Sequence, residues 1–76
     1  MIVEIEYCDA CGGLGMAVEV RDRIRASCGD AVDDVEVTPV TDGAFRVRAD
    51  DEELFTTDRA AYDPGRIVTA VCRRAT

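Results

Sequence analysis

The chain opens on a strict alternation of apolar and polar positions. Met1, Val3, Ile5 and Tyr7 share one face, while Glu4 and Glu6 share the other with Ile2. This period of two predicts a half-buried strand over residues 1–7. From Leu14 the period lengthens. Ala17, Val20, Ile24 and Cys28 recur every three or four residues, and Arg21, Asp22 and Arg25 fall off that face, so residues 14–27 are expected to be helical, with Gly29 as the stop. Val35 and Val37 alternate with Glu36 and Thr38 in a second strand that ends at Pro39, and Thr41-Asp42-Gly43 reads as a turn. Phe45, Val47 and Ala49 alternate with Arg46 and Arg48, and Leu54-Phe55-Thr56 follows an acidic reversal at residues 50–53. That predicts a hairpin whose tip carries no glycine. Asp63-Pro64 has the form of an N-cap followed by proline at the first helical position, and Ile67, Val68, Val71 and Cys72 supply the apolar stripe of a helix running to about Arg74.

The predicted order is β-α-β-β-β-α. A parallel β-α-β crossover is right-handed, and the hairpin adds two antiparallel strands, which makes a four-stranded mixed sheet. Alternation along the strands leaves one sheet face covered and the other wet, so both helices belong on the same face of a two-layer α/β fold. If the first and third strands are antiparallel neighbours, Glu4 and Glu6 meet Arg46 and Arg48 across the open face.

Composition narrows the partners. The chain has 76 residues, room for a single domain over 1–76, and 47% of them are apolar, too many for a disordered acidic tail. Sixteen acidic residues against nine basic give a net charge of −7. This excludes generic attraction to nucleic acid or to an anionic membrane surface, where affinity comes from Lys and Arg meeting phosphates. No apolar run is long enough to span a bilayer, and the first residues lack the basic and apolar regions of a secretory signal, so a cytoplasmic location is expected. Every basic residue is Arg, and Asp outnumbers Glu. That fits an acid-surfaced, halophilic proteome or a GC-rich coding bias.

Candidate chemistry lies in the cysteines. Four in 76 residues is below the density of a small secreted disulfide scaffold, so a structural framework is not expected. Cys8 and Cys11 form a CxxC between the first strand and the first helix. Backbone N–H groups and the positive end of a helix favour thiolates there, and two thiols at this spacing can close and reopen a small disulfide loop. Asp9, between them, opposes ionisation, so added salt is expected to ease it by screening. No His is present to act as a base.

The stretch Val3-Glu4-Ile5-Glu6-Tyr7-Cys8-Asp9-Ala10-Cys11-Gly12, the segment from Cys28-Gly29-Asp30 to Val37, Gly43-Ala44-Phe45-Arg46-Val47 and Leu54-Phe55 together resemble the selenoprotein W-like (Rdx) family over nearly the whole chain. The resemblance implies a thioredoxin-like fold with the element order derived above. It also implies a small thiol oxidoreductase acting through Cys8 and Cys11, with no bound cofactor, glutathione as a candidate electron donor, and a disulfide, a peroxide or a protein thiol as partner. Family members often carry selenocysteine at the position of Cys11, which would make Cys11 the attacking group and Cys8 the resolving one. The broader thioredoxin pattern makes Cys8 the attacking thiol, and the order stays open.

Other readings compete. A zinc module would need Cys28 and Cys72 as further thiolates, but neither has a second CxxC beside it, and both lie on apolar helical faces that suit small buried side chains. A non-catalytic interaction domain switched by oxidation of the pair uses the same residues. Tyr7, Phe45 and Phe55 are expected in the core, and Arg21, Arg23 and Arg25, which could hold the carboxylates of glutathione, are expected on a solvated helix face balanced by nearby acids.

Overall fold

The structure, a computed structural model, describes residues 1–75. The alternating head of the chain becomes β1 (Ile2–Cys8), with Val3, Ile5 and Tyr7 buried. It lies inside a sheet of order β2-β1-β3-β4. β2 (Asp34–Val40) pairs with it in parallel, from Ile2 opposite Asp34 to Cys8 opposite Val40. On the other side β3 (Arg46–Ala49) runs antiparallel, and β4 (Glu52–Thr56) completes the sheet with a bulge between Val47 and Arg48. β2 runs one residue past Pro39, where the sequence pattern had placed its end. It is an edge strand, the position in a sheet that tolerates a residue with no N–H.

The hairpin tip is the two-residue turn Asp50-Asp51, and both residues are left-handed, with φ of 48° and 72°. That is the requirement of a type I′ turn, which glycine or asparagine usually meets. Asp50 meets it with bonds of its own: its carboxylate accepts the Ile2 N–H at 2.9 Å, and its N–H donates to the Ile2 carbonyl at 3.0 Å. The tip is thereby fastened to the start of β1.

Two helices cover one face. α1 (Leu14–Cys28) buries Ala17, Val20 and Ile24 over β1 and β2, and α2 (Pro64–Ala75) buries Ile67, Val68 and Val71 against β3, β4 and α1. Asp63 caps α2 as expected. Its carboxylate accepts the Arg66 N–H at 3.2 Å, and its carbonyl accepts the Ile67 N–H at 3.1 Å. On the open face Arg48 Nη1 lies 3.2 Å from Glu4 and 2.9 Å from Glu6, and Arg46 Nη1 lies 3.4 Å from Glu6. Magnitude decides which face sets the register: each buried Val or Ile is worth roughly 1.5–3 kcal/mol, each partly exposed ion pair only about 0.2–1 kcal/mol. The pairs follow the core.

One expectation is corrected. Cys28 and Cys72 are not separate buried side chains but a disulfide between the two helices, with Cα atoms 5.1 Å apart. Helical periodicity had placed both on apolar faces correctly. It says nothing of the offset between two helices, and that offset brings the sulfurs together.

Candidate redox site

Cys8 is the last residue of β1, and the chain turns sharply there into α1. The Gly13 N–H returns to the Cys8 carbonyl at 3.0 Å and the Gly12 N–H to the Asp9 carbonyl at 3.0 Å. Gly12 takes a left-handed φ of 78°. At Gly13 the demand is for space, since a Cβ there would sit 2.9 Å from the Cys8 carbonyl oxygen, a backbone atom that cannot swing aside. These bonds fold the loop over the pair. Cys8 and Cys11 form a disulfide with Cα atoms 5.3 Å apart, and the Cys11 N–H points at Cys8 Sγ from 3.2 Å. The two sulfurs are not equivalent: Cys8 is 7% exposed, whereas Cys11 stands open to solvent.

The sequence had placed the thiols beside a helix N-terminus. α1 begins at the next turn with no side-chain cap and no acidic residue in its first turn, so no carboxylate there competes with a sulfur anion for the positive end. The N–H that reaches sulfur, however, belongs to Cys11 in the loop and not to α1.

The opposite wall is the segment 41–45 between β2 and β3. Asp42 shapes it, accepting the Ala44 N–H at 3.1 Å on one oxygen and holding Arg46 Nη2 at 2.5 Å on the other. The Arg46 hydrogen bond, then the Ala44 N–H, draw the Asp42 carboxyl below its ordinary range. The Phe45 N–H donates to Thr57 Oγ1 at 3.0 Å, and the Thr57 N–H to the Phe45 carbonyl at 3.0 Å. The Phe45 ring is buried edge-on against Tyr62 and Phe55, with centroids 5.4 and 6.4 Å away. Between this wall and the cysteines lies an open pocket of about 200 Å³, bordered also by Met16 of α1.

Other sequence candidates sit elsewhere. Arg21, Arg23 and Arg25 pair with Asp22, Glu19 and Asp34, the balanced helix face expected of them. Tyr7 and Phe45 are core residues, Phe45 also bordering the pocket beside the cysteines, and Phe55 packs against that core half-buried. Cys28 and Cys72 are joined to each other and not to the CxxC, and among the described residues no cluster of three or more His, Cys, Asp or Glu is placed to hold a metal.

The Rdx family model matches residues 2–71. The chain belongs to the Rdx family. Solved structures agree with that assignment in fold. A selenoprotein W-related protein from Vibrio cholerae superposes with a TM-score of 0.89 at 14% identity, covering 99% of this chain and 96% of its own. A protein from Bordetella parapertussis does so with a TM-score of 0.86 at 21% identity, covering 96% and 95%. No curated protein matches the chain. As an Rdx protein it has a thioredoxin-like, selenoprotein W-related fold, and the Cys8–Cys11 disulfide is consistent with a redox role.

Three parts of this Rdx site escaped the sequence pattern. The Cys11 N–H bond to sulfur is a backbone detail that no residue type announces. Thr57 lies just beyond β4, where nothing in its neighbours marks it. Met16 could have been found, because it follows Cys11 by five residues and falls in the first turn of the predicted helix.

Proposed function

We propose that the protein is a thiol–disulfide oxidoreductase in which Cys11 attacks and Cys8 resolves. The observation that carries this reading is the asymmetry of the pair. Cys11 is exposed, while Cys8 is buried with a hydrogen-bond donor on its sulfur. An incoming disulfide can reach Cys11 and not Cys8. The Cys11 N–H favours a sulfur anion at Cys8 over the neutral thiol, which keeps Cys8 ready to displace a substrate bound to Cys11. A cytoplasmic setting and a small-molecule or protein thiol as electron donor belong to the same reading.

Single serine variants test it. Cys8→Ser and Cys11→Ser should each abolish turnover of a small disulfide. Only Cys8→Ser should accumulate a mixed disulfide with substrate, visible by mass spectrometry. Trapping on Cys8 in the Cys11→Ser protein, with none in the other, would reverse the roles. Full turnover in both variants would overturn the reading.

A further inference from the structure

Among the described residues, the pocket beside the pair carries no charged side chain. Its walls are Met16 on one side and Gly43, Ala44 and Phe45 on the other, and the Thr57 hydroxyl that borders it already accepts the Phe45 N–H. The loop ahead of it continues into Leu14, a large apolar side chain left 49% exposed, where a solvated helix start would suit a polar residue. Asp9 stands exposed between the cysteines, and Asp42 adjoins Gly43. The guanidinium of Arg46, the residue after Phe45, is held by Glu6, Asp42 and Asp58.

This lining distinguishes two kinds of disulfide. Glutathione presents two carboxylates and an ammonium on each half, and a charged group moved out of water needs a partner of opposite sign. The pocket offers the two carboxylates none, and a chain of net charge −7 repels them on approach. A polypeptide disulfide with an apolar residue beside its cysteine places a side chain against Met16 and Phe45 while Cys11 meets the sulfur. We propose that the substrate of the reduced protein is a polypeptide disulfide flanked by an apolar residue and by no acidic one, in preference to glutathione disulfide. This rests on the redox reading above. The Cys11 thiolate attacks one substrate sulfur, forming a mixed disulfide and expelling the other as a thiolate. The Cys8 thiolate then attacks Cys11 Sγ, closing the Cys8–Cys11 disulfide and releasing the second substrate thiolate. Two electrons pass from the protein dithiol to the substrate disulfide. The two protons lost by the cysteines are taken up by the released thiolates.

The test uses the full chain, reduced with dithiothreitol and then freed of it, against three disulfides: hydroxyethyl disulfide, glutathione disulfide, and a synthetic peptide disulfide with Leu beside each cysteine. The peptide is expected to react about tenfold faster than glutathione disulfide, what burying roughly two methylene groups is worth. Met16→Glu, and independently the exposed Leu14→Asp, should lower the ratio of peptide rate to hydroxyethyl disulfide rate severalfold. Equal or faster reaction with glutathione disulfide, or variants that slow all three substrates in proportion, would overturn the substrate assignment and leave the redox reading standing. Failure with hydroxyethyl disulfide as well would overturn the redox reading itself.

Discussion

Tyr62 shows how one residue links the site wall to the helical layer. Its ring meets Phe45 edge-on, and its hydroxyl donates to Glu19 of α1 at 3.1 Å. Burial first, and then the bond to Glu19, push its phenol from the ordinary value up to about 12. The fold therefore favours the neutral phenol. Its contribution to stability is complete below the ordinary tyrosine value near 10 and is lost as pH rises from there through about 12. Tyr62→Phe keeps the ring contact and removes the ionising group, so denaturant midpoints measured across that alkaline window should fall less steeply for the variant than for the parent. Identical slopes would show that Tyr62 ionises without regard to the fold. At the same scale Gly13 owes its identity to contact and not to φ, because the Cys8 carbonyl occupies the space a side chain would need.

At the scale of elements, most of the architecture was readable because periodicity reports burial directly. Val3, Ile5 and Tyr7 against Glu4 and Glu6 identified β1 and its inward face, and Asp63-Pro64 located the start of α2. The opposition of Glu4 and Glu6 to Arg46 and Arg48 was readable for the same reason, since antiparallel neighbours that share an inward face also share an outward one. What stayed hidden depends on contacts between elements or on backbone detail: the offset that joins Cys28 to Cys72, the wall that Phe45 and Thr57 build beside Cys8, and the left-handed pair at the hairpin tip. That tip makes a prediction. Asp50 holds its conformation through two bonds to Ile2, whereas Asp51, at φ 72°, has no such anchor among the described residues. Asp51→Gly relieves left-handed strain at some cost in chain entropy and should stabilise by about 0.5 kcal/mol. Asp50→Gly surrenders the Ile2 bond and should bring no gain. Urea midpoints for the two variants decide it, and equal shifts would mean the anchor is worthless.

The whole molecule carries its two disulfides in different settings. Cys8–Cys11 joins residues three apart on an exposed turn, whereas Cys28–Cys72 joins residues 44 apart and ties the end of α1 to the last turns of α2. The fifteen residues of α1 separate the two by about 20 Å at the rise of a helix, too far for direct exchange between them. Their consequences should separate likewise. Closing the longer loop restricts the unfolded chain by about 4 kcal/mol at this separation, a large share of what a chain this small can muster. Replacing both residues, as Cys28→Ala with Cys72→Ala, should therefore lower the melting temperature by up to about 15–30 °C. Below its own melting point the double variant should still turn over disulfides through Cys8 and Cys11 at the parental rate. The comparison is made by thermal melts of the oxidised parent and the double variant, alongside turnover measured at a temperature where both are folded. Equal melting temperatures would show that the cross-link contributes nothing to the fold. Turnover lost with the fold intact would instead mean that electrons reach the exposed pair by way of the distant one.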